Sequence, residues 1–219
     1  MARKRNNQAG GNPRTGSNGF LRATTRLGRQ RMGDSTVVAN RVVTSARTTD
    51  VNGNNDGAFF ICPAFGSQGA LTNISRCYEL FRPEAVTVKW QPSVGTLTTG
   101  VVYMGFIDNA DMIAKWSSYS SDRYTIIKNL PNMVAVRLYE NAQIVWRKPL
   151  RRRWYNLDSS ITTTVAEQVE RTVSGLFVYF IEGGPASSNV GSFIMEERHL
   201  LNGLINPLAV TTLTAGTVS

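Results

Sequence analysis

The sequence predicts an all-β protein, an antiparallel sandwich of two sheets, for which the jelly roll is the eight-stranded form. Three observations predict it. Eight runs rich in β-branched and aromatic residues are separated by clusters of turn-forming residues. Helical periodicity is clear in only two of the connections. A chain of 219 residues at 42% hydrophobic content is long enough for one sizeable core, and its charged fraction of 18% argues against general disorder. Periodicity does not establish the order of the strands.

The first run, TVVANRVVTSART, begins after Ser35 and ends at the turn cluster DVNGNNDG, Asp50 to Gly57. AFFIC, Ala58 to Cys62, is the second and is stopped by Pro63. Between Gly66 and Phe81, the residues Leu71, Ile74, Cys77, Tyr78 and Phe81 recur at threes and fours, which predicts a short amphipathic helix. EAVTVKWQP, Glu84 to Pro92, alternates cleanly, with Val86, Val88 and Trp90 on one side. GVVYMGFIDNAD, Gly100 to Asp111, is apolar on both faces and so belongs inside a packed architecture. Helical spacing then returns from Met112 through Leu130 and ends at Pro131.

Met133–Tyr139 and Gln143–Lys148 stand at hairpin spacing. The Thr-rich stretch ITTTVAEQVERTV fits a loop, a strand or a short helix. GLFVYFIEG, from Gly175, and SFIMEER, Ser192 to Arg198, complete the eight. Three segments follow: an arm over residues 1–34, a folded domain over 35–201, and a small, polar tail over 202–219 that packs on the domain or at a subunit interface.

Charge is distributed very unevenly. The net charge is +9, yet Arg3, Lys4, Arg5, Arg14, Arg22, Arg26, Arg29 and Arg31 stand in residues 1–33 without one acid. The remaining 16 basic and 15 acidic residues nearly cancel. The segment is poor in large apolar residues and cannot offset its ordering entropy, so a disordered basic arm is expected. Scattered arginines suit phosphates irrespective of base sequence, because each charge displaces counterions wherever the backbone lies. A second basic cluster, Lys148 with Arg151, Arg152 and Arg153, abuts Trp154 and Tyr155. It suits RNA on an inner surface, and equally salt bridges between subunits; the interface or solvated reading is favoured slightly, with Trp154 packed rather than stacked on a base.

Several function classes are poorly served. His199 is the single histidine, which leaves no multi-histidine metal site, and neither a nucleophile motif nor a phosphate-cradling glycine loop is present. An enzyme is therefore not expected. Cys62 and Cys77 have no redox or zinc spacing and read as free thiols in a reducing setting. The basic start lacks the apolar stretch of a signal peptide, and no run reaches the roughly 20 apolar residues of a membrane span. No membrane association is expected.

The acidic end of GVVYMGFIDNAD is the remaining puzzle. Asp108 and Asp111 at a strand end must be solvated, paired or bound to a cation. Asp111 also suits the cap of a helix starting at Met112. The segment Cys77–Asp111 resembles the shell domain of small icosahedral RNA plant-virus coat proteins, especially the sobemovirus and tombusvirus group. Tyr78, Phe81, Pro92, Gly100, Val102, Met104, Gly105, Phe106, Asp108 and Asp111 carry the likeness. KPLRRRWY, GLFVYF and the basic arm extend it, to roughly residues 35–200 for the folded part. The arm lacks the proline-rich segment of larger shells, and no protruding domain is expected after the shell.

The resemblance implies an eight-stranded jelly roll with helices in its connections, assembled into an icosahedral shell around genomic RNA. It also implies calcium between subunits at Asp108 and Asp111. Ca²⁺ takes six to eight oxygens, so a neighbour, backbone carbonyls or water would have to complete the shell. The arm would bring about 480 positive charges to 60 copies or about 1,440 to 180. The expected setting is the virion, with the host-cell cytoplasm during assembly, although ARKR also fits the loose pattern of a nuclear-import signal. The competing expectation is a non-assembling cellular nucleic-acid-binding protein, a β-sandwich with a basic tail.

Overall fold

The computed structural model describes residues 35–64, 70–146, 153–157 and 163–205. Ten strands are found there: β1 (Thr36–Val43), β2 (Arg47–Thr48), β3 (Asn55–Phe60), β4 (Tyr78–Pro92), β5 (Val101–Ile107), β6 (Val134–Arg137), β7 (Ala142–Trp146), β8 (Tyr155–Asn156), β9 (Leu176–Glu182) and β10 (Asn189–Leu204). The helices are α1 (Ala70–Ser75), α2 (Ala110–Ala114), α3 (Arg123–Lys128) and α4 (Ala166–Thr172), with a 3₁₀ turn over Trp116–Ser118. Sheet one runs β1-β10-β4-β7, with β2 also on β10 and β8 on β4. Sheet two runs β3-β9-β5-β6, and every pairing in both sheets is antiparallel. Apart from the two-residue strands, these are the eight strands expected, arranged as a jelly roll.

The sheets face each other across an aromatic core. Phe193 of β10 lies 4.6 Å from the Tyr179 ring and 5.0 Å from Trp90, measured between ring centroids. Trp90 is buried and its indole Nε1 donates to the Leu138 carbonyl at 3.0 Å, so its one polar atom is satisfied. Sheet two is also covered on its outer side. There Ile107, Ile113, Trp116, Ile127, Val169 and Val178 form a second buried cluster beneath α2, α3 and α4. Coverage on both sides explains why VVYMGFI and LFVYFI are apolar on both faces.

Sheet one instead turns a charged outer face to solvent. Lys89 pairs with Glu196 at 2.8 Å, Arg41 approaches the same carboxylate at 3.6 Å, and Arg198 meets Glu84 at 2.9 Å. No disulfide joins Cys62 and Cys77.

Two local expectations need correction, and one left open is decided. The helix expected from Gly66 to Phe81 is confined, where described, to Ala70–Ser75, and Tyr78 and Phe81 belong to β4. The pairing of β4 with β10 slips at one place, where Arg198 faces Ala85 but His199 faces Pro83. That bulge flips the inward phase from Phe81 and Pro83 to Val86, Val88 and Trp90, which destroys a simple alternation. β10 continues beyond Arg198 to Leu204. Around that point two inward positions, Glu197 and His199, are buried polar residues where alternation leads one to expect apolar ones, before apolar Leu201. ITTTVAEQVERTV yields α4, in which Val169 and Thr172 are buried.

Candidate functional site

β5 carries the chain out of the core and releases it at Asp108. Asn109, in extended conformation, is the N-cap of α2, and its side-chain oxygen accepts from the Met112 N–H at 3.0 Å. Asp111 is therefore not the cap. It lies exposed in the first turn of α2, where a carboxylate faces the positive end of the backbone dipoles. Asp108 is exposed as a residue, yet one oxygen is held by the protein: Trp146 at the end of β7 donates its Nε1–H to Asp108 Oδ1 at 2.7 Å. Packing against the protein pushes the Asp108 carboxyl above its usual range, and the indole hydrogen bond opposes that rise by favouring the charged form.

The surroundings of Asp108 leave little room on one side. A Cβ placed on Gly175 would stand 3.4 Å from Asp108 Oδ1 and 3.3 Å from Ile61 Cδ1. The phenol of Tyr155 is within electrostatic reach. Burial raises its pKa most, Arg153 lowers it, and the Asp108 charge raises it again. Of the second predicted cluster, Arg153 thus comes near the same group, beside β8 and α4. Arg153 is exposed, donates to Glu170 Oε1 of α4 at 2.7 Å, and holds the Glu170 carboxyl below its usual range. Trp154 is half-buried with the Arg82 guanidinium 5.0 Å from its ring centroid.

Two carboxylates and one aromatic donor do not make a complete cation site. Among the described residues no three His, Cys, Asp or Glu side chains gather closely enough to hold a metal. Asp108 and Asp111 fit a hard cation by chemistry, as oxygen donors, but supply only part of its shell.

Most of the expected RNA contacts fall elsewhere. Arg3, Lys4, Arg5, Arg14, Arg22, Arg26, Arg29 and Arg31 lie outside the described residues, as do Lys148, Arg151 and Arg152. Sequence reasoning missed Trp146, whose indole reaches Asp108 across 38 positions of chain. It also missed a shallow depression of about 410 Å³ on the outer face of sheet one, lined by Arg41, Lys89, Gln91, Asn141 and Gln143 among others. Strand register alone brings those residues together, so no spacing signalled them.

Among the described residues no helix is long and apolar enough to cross a membrane. No family model and no curated protein matches this chain. Solved structures do. A chain from the structure of Cocksfoot mottle virus shares 14% identity at a TM-score of 0.64, over 81% of this chain and 99% of that one. Tobacco necrosis virus gives 16% identity and 0.65, over 80% and 100%. The semi-empty virus-like particle of the nodavirus of the prawn Macrobrachium rosenbergii gives 13% and 0.66, over 90% and 97%. The described residues thus form an eight-stranded jelly roll of the kind found in chains of small virus particles.

Proposed function

We propose that this chain is a viral coat protein whose copies assemble into an icosahedral shell and take up genomic RNA through the basic segment at residues 1–34. The observation that carries the reading is the near end-to-end match of the jelly roll to chains from three virus particles. The charge partition agrees with it, since a domain close to neutrality preceded by eight cations suits a shell around a polyanion. Asp108 and Asp111 contribute to a cation, calcium by donor type, held between neighbouring copies. In that reading the cation offsets a carboxylate whose ionisation the protein disfavours.

Expression of the full chain followed by electron microscopy and sedimentation tests the assembly. Spherical particles of uniform size are expected; a monomer or dimer at every salt concentration would return the chain to the class of non-assembling nucleic-acid-binding proteins. Calcium is tested on the particles. Chelator should swell them, and Asp108→Asn with Asp111→Asn should render them indifferent to it. Chelator without effect on the unsubstituted particles would leave Asp111 as a helix-dipole partner and Asp108 as the acceptor of Trp146.

A further inference from the structure

β1 closes one side of sheet one. β10 bonds it on one flank, and among the described strands none lies on the other. The strand is eight residues long, TVVANRVV, without proline or glycine, and its register with β10 is unbroken. Natural sheets blunt such edges with prolines, bulges, lysines or short strands. β1 itself carries none of those devices, and among the described residues the helix α1 packs near it without adding a strand. The single charge, Arg41, turns toward Glu196, while Val37 and Val43 are 44% and 59% exposed. The strand is a template for one more.

The chain carries a segment suited to it. No charged side chain follows Arg198, and residues 208–218 read LAVTTLTAGTV, which is β-branched, uncharged and free of proline. Such a composition favours a strand and is poorly suited to a solvated tail. The other occupants fit less well. Residues 1–33 would bring eight cations toward Arg41, and a second β1 would bring another Arg41 to the same seam.

Direction decides between the chain's own tail and a neighbour's. β10 ends at Leu204, opposite Tyr78, three residues past Leu201, which faces Thr36 at the start of β1. A tail turning back onto its own β1 would cross the point where residues 1–34 enter. It would then run parallel to β1 in a sheet that is otherwise antiparallel, and parallel pairing is slightly weaker. A neighbour's tail meets neither obstacle. Eleven extended residues span roughly 36 Å, more than the roughly 27 Å of β1.

We propose that residues 208–218 of one copy add as an antiparallel strand to the free edge of β1 in a neighbouring copy, linking copies by strand exchange. The proposal rests on the assembly of many copies described above. Cysteine pairing tests it in full-length protein carrying Cys77→Ala. One population bears Val37→Cys, near the start of β1, which an antiparallel tail meets with its later residues; the other bears a cysteine at one position from 213 to 217 in turn. Opposed residues on neighbouring strands hold Cβ atoms about 4.5–5.5 Å apart, so a small local shift brings them within the roughly 3.5–4.5 Å of a disulfide.

On mixing, assembly and mild oxidation, mixed covalent dimers should exceed those of either population alone by at least about tenfold at alternate tail positions. Their absence at all five positions overturns the proposal. So does a predominance of Val37→Cys homodimers, or an internal bridge in a chain bearing both cysteines. Hydrogen exchange gives a reading independent of register. Amides of 208–218 should slow at least tenfold on assembly, and β1 should lose protection in a chain ending at Ile205; unchanged exchange in both overturns the exchange. Particle images separate the two ideas: particles without mixed dimers leave the shell standing and remove the exchange, mixed dimers without particles do the reverse, and neither observation removes both.

Discussion

At Asp108 the protein holds a carboxyl partly against itself, and the pH response follows from the direction of its shift. Burial raises the pKa above the ordinary 3.8, while donation from Trp146 pulls it back in part. The folded state therefore keeps this proton to higher pH than the unfolded chain does. The associated stability is fully present below the ordinary Asp range and is lost as pH rises through the raised folded value. Metal-free protein should thus lose part of its stability on leaving the acid range, a loss that Asp108→Asn removes and that calcium offsets only when Asp108 is present. Melting temperatures measured across pH with and without calcium check this; an unaltered pH slope in Asp108→Asn would assign the loss to another group. Asp108→Ala has a different effect. It leaves the buried Trp146 indole without its acceptor, and about 1–3 kcal/mol of destabilisation is expected where Asp108→Asn, which keeps an acceptor, costs less.

Among the elements, packing between β3 and β9 offers the sharpest test of the core. Gly57 of β3 stands opposite Tyr179 of β9, and a Cβ there would fall 2.5 Å from the phenol oxygen and 2.8 Å from ring carbons. Tyr179 is buried, stacked on Phe59 and Phe177 and tilted against Phe193, so its ring has nowhere to retreat. Gly57→Ala should cost about 1–3 kcal/mol, as other overpacked cores do. At about 2–4 °C per kcal/mol for a domain of this size, thermal unfolding would show it readily. An unchanged melting temperature would mean that β3 and β9 move apart without penalty.

The same elements show why some of the fold was legible and some was not. VVYMGFI and LFVYFI announced themselves because both faces are covered, so burial needs no phase. β4 concealed its first half because the bulge between Pro83 and Ala85 switches which residues face inward, and Tyr78 and Phe81 then mimic helical spacing. β10 concealed its end because Glu197 and His199 occupy inward positions, with His199 edge-on to Phe81 at 5.8 Å. The acids of the candidate site were visible as a strand end with surplus charge. Their partner Trp146 was not, since only the meeting of β5 and β7 brings it near.

On the scale of the whole molecule, charge separates the two tasks proposed for this chain, building a shell and holding RNA. Removal of residues 1–33 takes eight positive charges and leaves a chain of +1, while the strands that build the sandwich are untouched. Binding by counterion release has a slope of about −0.7 per phosphate for single strands, so eight contacts give roughly −5 to −6 in log K against log salt. Between 50 and 200 mM salt the full chain should lose affinity by about a thousandfold, with little dependence on RNA sequence. Removal of residues 1–33 should bring the slope close to zero. A residual slope of about −2 that vanishes on replacing Lys148, Arg151 and Arg152 with alanine would give those residues an RNA contact of their own. Arg153 is left out of that set because Glu170 already engages it at 2.7 Å, and an RNA phosphate would have to displace that carboxylate. A steep slope that survives both changes would place the RNA on the folded domain, against the division of labour that the charges imply.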